Sequence, residues 1–155
     1  MLVGETLRRF GRSYRVIAKG FSMKRIALLY ILTFAVILPL DFLFLGVLAK
    51  DFFRSQVGDM LGDLKIVPGM VFYLVYVVGI LIFVNGSDGA TWRHAALYGA
   101  LFGFFAYATF DLTCLAVLRH WSWTAAGVDI AWGTFVTATS ATVGLSVTDW
   151  LLGRS

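Results

Sequence analysis

Apolar residues run almost unbroken through four stretches of the chain, at about residues 26–49, 66–84, 95–118 and 124–152. A helix rises about 1.5 Å per residue, so stretches of this length reach across a hydrocarbon core of roughly 30 Å. The pattern predicts an all-α integral membrane protein, a four-helix transmembrane bundle over residues 25–155. Residues 1–24 read differently. Val3, Leu7, Phe10, Tyr14, Ile17 and Phe21 recur at intervals of four and three, while Arg8, Arg12, Arg15 and Lys19 form a second stripe at the same spacing. Two such stripes predict an amphipathic surface helix, its apolar face in the lipid and its basic face on anionic headgroups. The apolar run that follows is longer than a signal core and lacks a small-residue cleavage pattern, so the segment is expected to stay attached.

The connections carry their own signals. Residues 50–65 hold Lys50, Arg54 and Lys65 against Asp51, Asp59 and Asp63, a balanced and solvated connection. Pro68 falls near the start of the second span, where proline is tolerated, and Asn85-Gly86-Ser87-Asp88-Gly89 closes that span as a turn. Trp92-Arg93-His94 and Arg119-His120-Trp121-Ser122-Trp123 flank the third span with the aromatic and basic residues of a membrane interface. The fourth span is diluted by Thr134, Thr137, Thr139, Ser140, Thr142, Ser146 and Thr148, so it should pack against protein on most sides. Small residues Gly133, Thr137, Ala141 and Gly144 on it, and Gly99 and Gly103 on the third span, allow close backbone approach. These two spans are expected to form a close pair or a dimer seam.

Composition agrees with a membrane protein: 59% of residues are apolar, 14% are charged and the mean hydropathy is +0.83. About a quarter of the residues in a soluble domain are charged. The net charge of +4 does not point to nucleic acid, because seven of the 13 Lys and Arg lie in the first 25 residues, as on a cytoplasmic membrane flank. Nine basic residues fall beside the N-terminus, the 2–3 loop and the C-terminus, against four on the other side. The imbalance places both termini in the cytoplasm, in a multi-pass inner-membrane protein.

Within the spans, Asp41, Asp111 and Asp129 are the acids that demand an explanation. An acid at membrane depth costs about 3 kcal/mol or more, and such residues mark functional sites. Helical rise puts Asp41 about 23 Å up the first span, Asp111 about 24 Å up the third and Asp129 about 8 Å below the outer end of the fourth. All three should therefore meet in one layer. Gly103, Tyr107, Asp111 and Cys114 share a face of the third span, and Trp132 stands one turn from Asp129. Pro39 removes a backbone hydrogen bond below Asp41 and is expected to kink the first span toward the site. Tyr73 and Tyr76 can add hydroxyls if the second span is rotated toward them. Two acids in contact at low dielectric cannot both ionise cheaply, which makes a shared proton the natural arrangement. The segment from Asp41 to Leu48 can also be laid over that from Asp111 to Leu118, 70 residues later, as in a duplicated helical hairpin. His94, His120 and the single Cys114 have no partners at metal-ligand spacing. No cofactor fingerprint and no nucleophile–base pair is present.

Leu38-Pro39-Leu40-Asp41 with Leu45-Gly46 and Ala49-Lys50-Asp51-Phe52, then Tyr107-Ala108-Thr109-Phe110-Asp111-Leu112-Thr113, then Val128-Asp129-Ile130-Ala131-Trp132-Gly133 resemble a bacterial family of predicted four-helix membrane proteins catalogued as a domain of unknown function. The resemblance covers about residues 26–150 and implies the four-helix fold and the three aspartates, without a chemistry. The basic N-terminus is additional to that pattern, and Cys114 stands where the family often has Asn.

These readings lead to a binding or translocation unit for a proton, a cation or a small polar ligand. Asp41, Asp111 and Asp129 would be its ligands, with Tyr107, Trp132 and Pro39 around them. Four spans are few for a complete transport path, so a homo-oligomer or a place in a larger membrane complex is expected. Two alternatives remain open: an accessory subunit packing through its small-residue face, and a membrane enzyme acting on lipid or isoprenoid with one Asp as acid and another as base.

Overall fold

The computed structural model describes residues 23–60, 62–63, 65–86 and 89–154. The basic segment with Arg8, Arg12, Arg15 and Lys19 lies outside the described residues. Among the described residues there are five α-helices and no strands: α1 (Met23–Leu43), α2 (Lys50–Val57), α3 (Ile66–Phe83), α4 (Trp92–Val117) and α5 (Trp123–Leu151). All but α2 are long and apolar enough to cross a membrane. The protein is therefore a four-helix membrane bundle, and its apolar side chains face outward: only 17% of the most apolar window of α1, α3 and α4 is buried, against 39% for α5.

Helix α5 is the hub, with α1 on one side and α4 on the other. Its polarity, which predicts protein neighbours, is absorbed in two ways. Thr134, Thr137, Thr142 and Thr148 donate to the carbonyls of Ile130, Gly133, Ala138 and Gly144 at 2.6–2.7 Å, which satisfies the hydroxyls without a second helix. Its small residues let neighbours close in. A Cβ on Gly103 would overlap the Gly133 carbonyl oxygen, one on Gly99 would lie 3.0 Å from the Ala138 Cα, and one on Gly144 would overlap the Thr33 hydroxyl of α1. The Gly99 and Gly103 face is thus occupied within this chain, by α5, rather than left free as a dimer seam.

Helix α3 leans on α1, where Tyr30 donates to the Leu74 carbonyl at 3.2 Å. Its contact with α4 gathers around Phe102, whose ring meets Tyr76 and Phe83 at centroid distances of 5.4 and 5.9 Å.

Two local features depart from the sequence expectation. Helix α1 runs through Pro39 to Leu43, and the irregularity comes later as a π-helical turn over Phe44–Leu48, closed by Ala49 N–H to the Phe44 carbonyl at 2.7 Å. The start of the connection expected to be solvated is instead helix α2. Its Val57 is buried, and its Gln56 accepts from Ser122 Oγ at 2.7 Å while Ser122 also caps α5 through Ala125 N–H at 3.0 Å. Phe53 and Val57 are four residues apart, as are Lys50 and Arg54, so the segment folds as about two amphipathic turns with an apolar and a basic face.

Candidate functional site

A cleft of 1030 Å³ opens at the end of the bundle away from the termini. It is formed where the last turns of α1, the first turns of α3 and the last turns of α4 come together under α2. Asp41 and Asp129 both line it, together with Tyr73, Tyr76 and Tyr107; Phe72 and Phe110 add aromatic rings to its wall, and Lys50, Arg54 and Asp63 line it from the α2 side.

Two of the three acids have a fixed indole donor. The indole N–H of Trp132 donates to Asp41 Oδ1 at 2.6 Å, and Tyr73 is a second hydrogen-bond partner of the same carboxyl. The indole itself is held by stacking on Phe44, centroids 3.9 Å apart and planes 8° from parallel. The π turn over Phe44–Leu48 begins at this ring, so the irregular turn and the aspartate's donor are built together. Asp111 is paired in the same way: Trp121 Nε1 donates to its Oδ1 at 3.1 Å.

Asp111 does not line the cleft. It lies behind Asp129, side chain beside side chain. Two carboxyls make a hydrogen bond only when a proton lies between them. Among the described residues no donor reaches the buried Asp111 Oδ2. Asp41 is 1% exposed and Asp111 0% exposed, while Asp129 is half-buried. Asp129 is therefore the member of its pair that meets the cleft.

The remaining expected site residues separate. Tyr107 lines the cleft and its ring fills the space over Gly133, where any side chain would collide with it. Trp132 acts from behind, through Asp41. Pro39 is exposed on the lipid side of α1 and does not line the cleft. Two residues along a helix turn about 200°, which sends Pro39 to the face opposite Asp41. Thr137 receives the Tyr76 hydroxyl at 2.8 Å, so it is a polar partner as well as a packing residue.

Sequence reasoning missed three contributors. Trp121 reads as an interfacial anchor, yet its N–H is spent on Asp111; its spacing of 10 residues from that acid gave no helical signal, because a break in the helix lies between them. Arg54 reads as a loop charge and becomes part of the cleft wall, beside Lys50, which the sequence offers as a base able to snorkel toward the acids. A further acid of the fourth span, Asp149, pairs with the buried Arg25 at 3.5 Å near the termini, far from the other three. Among the described residues no group of three His, Cys, Asp or Glu side chains is arranged to hold a metal ion.

Residues 26–146 match the family described as predicted membrane protein (DUF2177). The chain belongs to that family. The matched stretch contains Asp41, Asp111 and Asp129, all of α4 and most of α1 and α5. No curated protein and no solved structure matches the chain.

Proposed function

We propose that this membrane protein is an intramembrane binding unit that takes up a proton, and in exchange for it a small cationic or polar ligand, at the carboxyls of Asp41 and Asp129. The observation that carries the reading is that these two acids, from different helices, line one cleft while Asp111 backs Asp129 through a carboxyl–carboxyl contact. A pair that holds one proton can exchange it for a monovalent cation without changing its net charge in the membrane. Trp132 and Tyr73 hold Asp41, and Trp121 holds Asp111, through neutral donors, while the cations of the cleft, Lys50 and Arg54, stand on its α2 wall. The aromatic walls Phe72, Tyr73, Tyr76 and Tyr107 favour a compact cation through their ring faces.

Orientation and assembly belong to the same proposal. Both ends of the described chain lie on one face, since four spans bring the chain back, and the basic imbalance assigns that face to the cytoplasm of a bacterial inner membrane, with the basic N-terminus on anionic headgroups. A homo-oligomer or larger complex would use the lipid-facing surfaces, since the small-residue seam is already filled.

The test is proton uptake by infrared difference spectroscopy on the full chain in nanodiscs, with sodium and ethylammonium ions as probes of thermal stabilisation. The wild type should show a carboxylic-acid band that disappears when a bound cation replaces the proton. Asp129→Asn and Asp41→Asn should each remove part of that band and the cation-induced stabilisation. Unchanged band and unchanged stabilisation in both variants would refute the reading.

A further inference from the structure

Away from the cleft, the interior of the bundle contains a run of polar atoms that packing does not explain. Ser140 Oγ, Asn85 Oδ1 and Thr33 Oγ1 are all buried, and no hydrogen-bond partner reaches any of them among the described residues. Buried polar groups in proteins are almost always paired, and in a membrane an unpaired one has no lipid partner to fall back on. Three in one bundle call for a common cause.

Their positions along α5 supply it. Tyr76, in the cleft wall, gives its hydroxyl to Thr137; the Thr137 hydroxyl is itself donated to the Gly133 carbonyl, so Tyr76 is the donor of the pair. Ser140 comes less than one turn further along α5. Asn85 is anchored beside it, its Nδ2 donating to the Ala141 carbonyl at 3.1 Å. Thr33 of α1 lies against Gly144, the next turn. One turn beyond, Thr148 is buried, and Asp149 meets Arg25. Asp149 is 24% exposed by its side chain, so the run ends at the surface on the termini side. From Asp129 to Asp149 the helix covers about 30 Å, the thickness of a hydrocarbon core.

We infer that this run is a proton path, its hydroxyl and amide groups linked by water, connecting the carboxyl cleft with the Arg25–Asp149 pair on the opposite face. It rests on the proposed carboxyl site as its entry and adds to that site an exit. A cleft carboxyl passes its proton toward Tyr76 and is reloaded from water in the cleft, each hydroxyl accepts one proton and passes one on, and the Asp149 carboxylate accepts the last proton and releases it to water. Every relay group ends with the protons it began with, and the net event is one proton moved across the membrane. Buried water bridging otherwise unpaired groups is the general means by which such gaps are closed.

The experiment uses the full chain in proteoliposomes with an entrapped pH-sensitive dye, a potassium gradient and valinomycin to carry the compensating charge. Wild-type vesicles should acidify or alkalinise well above empty vesicles. Ser140→Ala and Thr33→Val, which remove a hydroxyl with little change of shape, should lower the flux about tenfold or more by cutting a hydrogen-bonded chain, and Thr33→Ser should restore it. Both variants should keep the infrared carboxyl band, which reads the cleft alone. Wild-type flux no greater than that of empty vesicles overturns the path. So does flux in both variants equal to wild type. A lost path with an intact carboxyl band leaves the binding site standing, whereas a missing carboxyl band refutes the site itself.

Discussion

Helix α4 makes two seams of opposite character. Toward α5 it presents Gly99 and Gly103, and backbones come so close that Gly103 has no room for a methyl group against the Gly133 carbonyl. Toward α3 it presents Phe102, Ala106 and Phe110, and the helices are held apart by rings; Phe102 touches α3 while Ala106 and Phe110 line the cleft with Phe72. Dispersion and close backbone approach drive helix association in lipid, where the hydrophobic effect between helices is absent. Small residues therefore close one seam, and aromatic residues prop the other open. The closed seam fixes the register that brings Asp111 to Asp129. The open seam gives Asp129 and Asp41 something to face.

Matched substitutions should expose that difference. Gly103→Ala puts its methyl into an immobile backbone and should cost about 3 kcal/mol, with loss of the folded state in milder detergent denaturation than wild type. Trp121→Phe, which leaves the ring in place and removes the donor to a fully buried carboxyl oxygen, should cost about 1–3 kcal/mol in the same assay. Gly79→Ala should cost less than about 1 kcal/mol, because its methyl meets only the far edge of the Phe102 ring, at 2.9 Å, and that ring can swing into the cleft side. If Gly79→Ala proves as damaging as Gly103→Ala, the two seams are equally rigid and the contrast fails.

Much of the fold could be read in the chain because a membrane imposes a simple rule: apolar stretches long enough to cross it become helices. The weak apolarity of the last span also read correctly as a demand for protein neighbours, and α5 is the hub. What the pattern did not hold was rotation about each helix axis. Asp41, Asp111 and Asp129 could be assigned a depth by counting residues, but whether they face one another depends on the side chain packing that sets rotation. Pro39 illustrates the limit, since its depth is that of Asp41 and its face is the opposite one. Local context hid α2, whose balanced charges masked the four-residue spacing of Phe53 and Val57. Arg25 reads as part of the basic flank though it is 4% exposed, and Asp149 lies inside the fourth span without being among the acids that the sequence singles out.

The account stands on water reaching the carboxyls of Asp41 and Asp129 through the cleft between α3 and α4. Thiol accessibility measures this directly. Cys114 is the single cysteine, so Cys114→Ala provides a thiol-free background in which Ala106→Cys, on the cleft wall, is compared with Leu101→Cys, on the lipid-facing surface of the same helix. With a membrane-impermeant thiol reagent added to sealed vesicles, the cleft thiol should be modified from the side opposite the termini, and the lipid-facing thiol should remain unreacted. Equal protection of both thiols would contradict a hydrated cleft, and with it the carboxyl site.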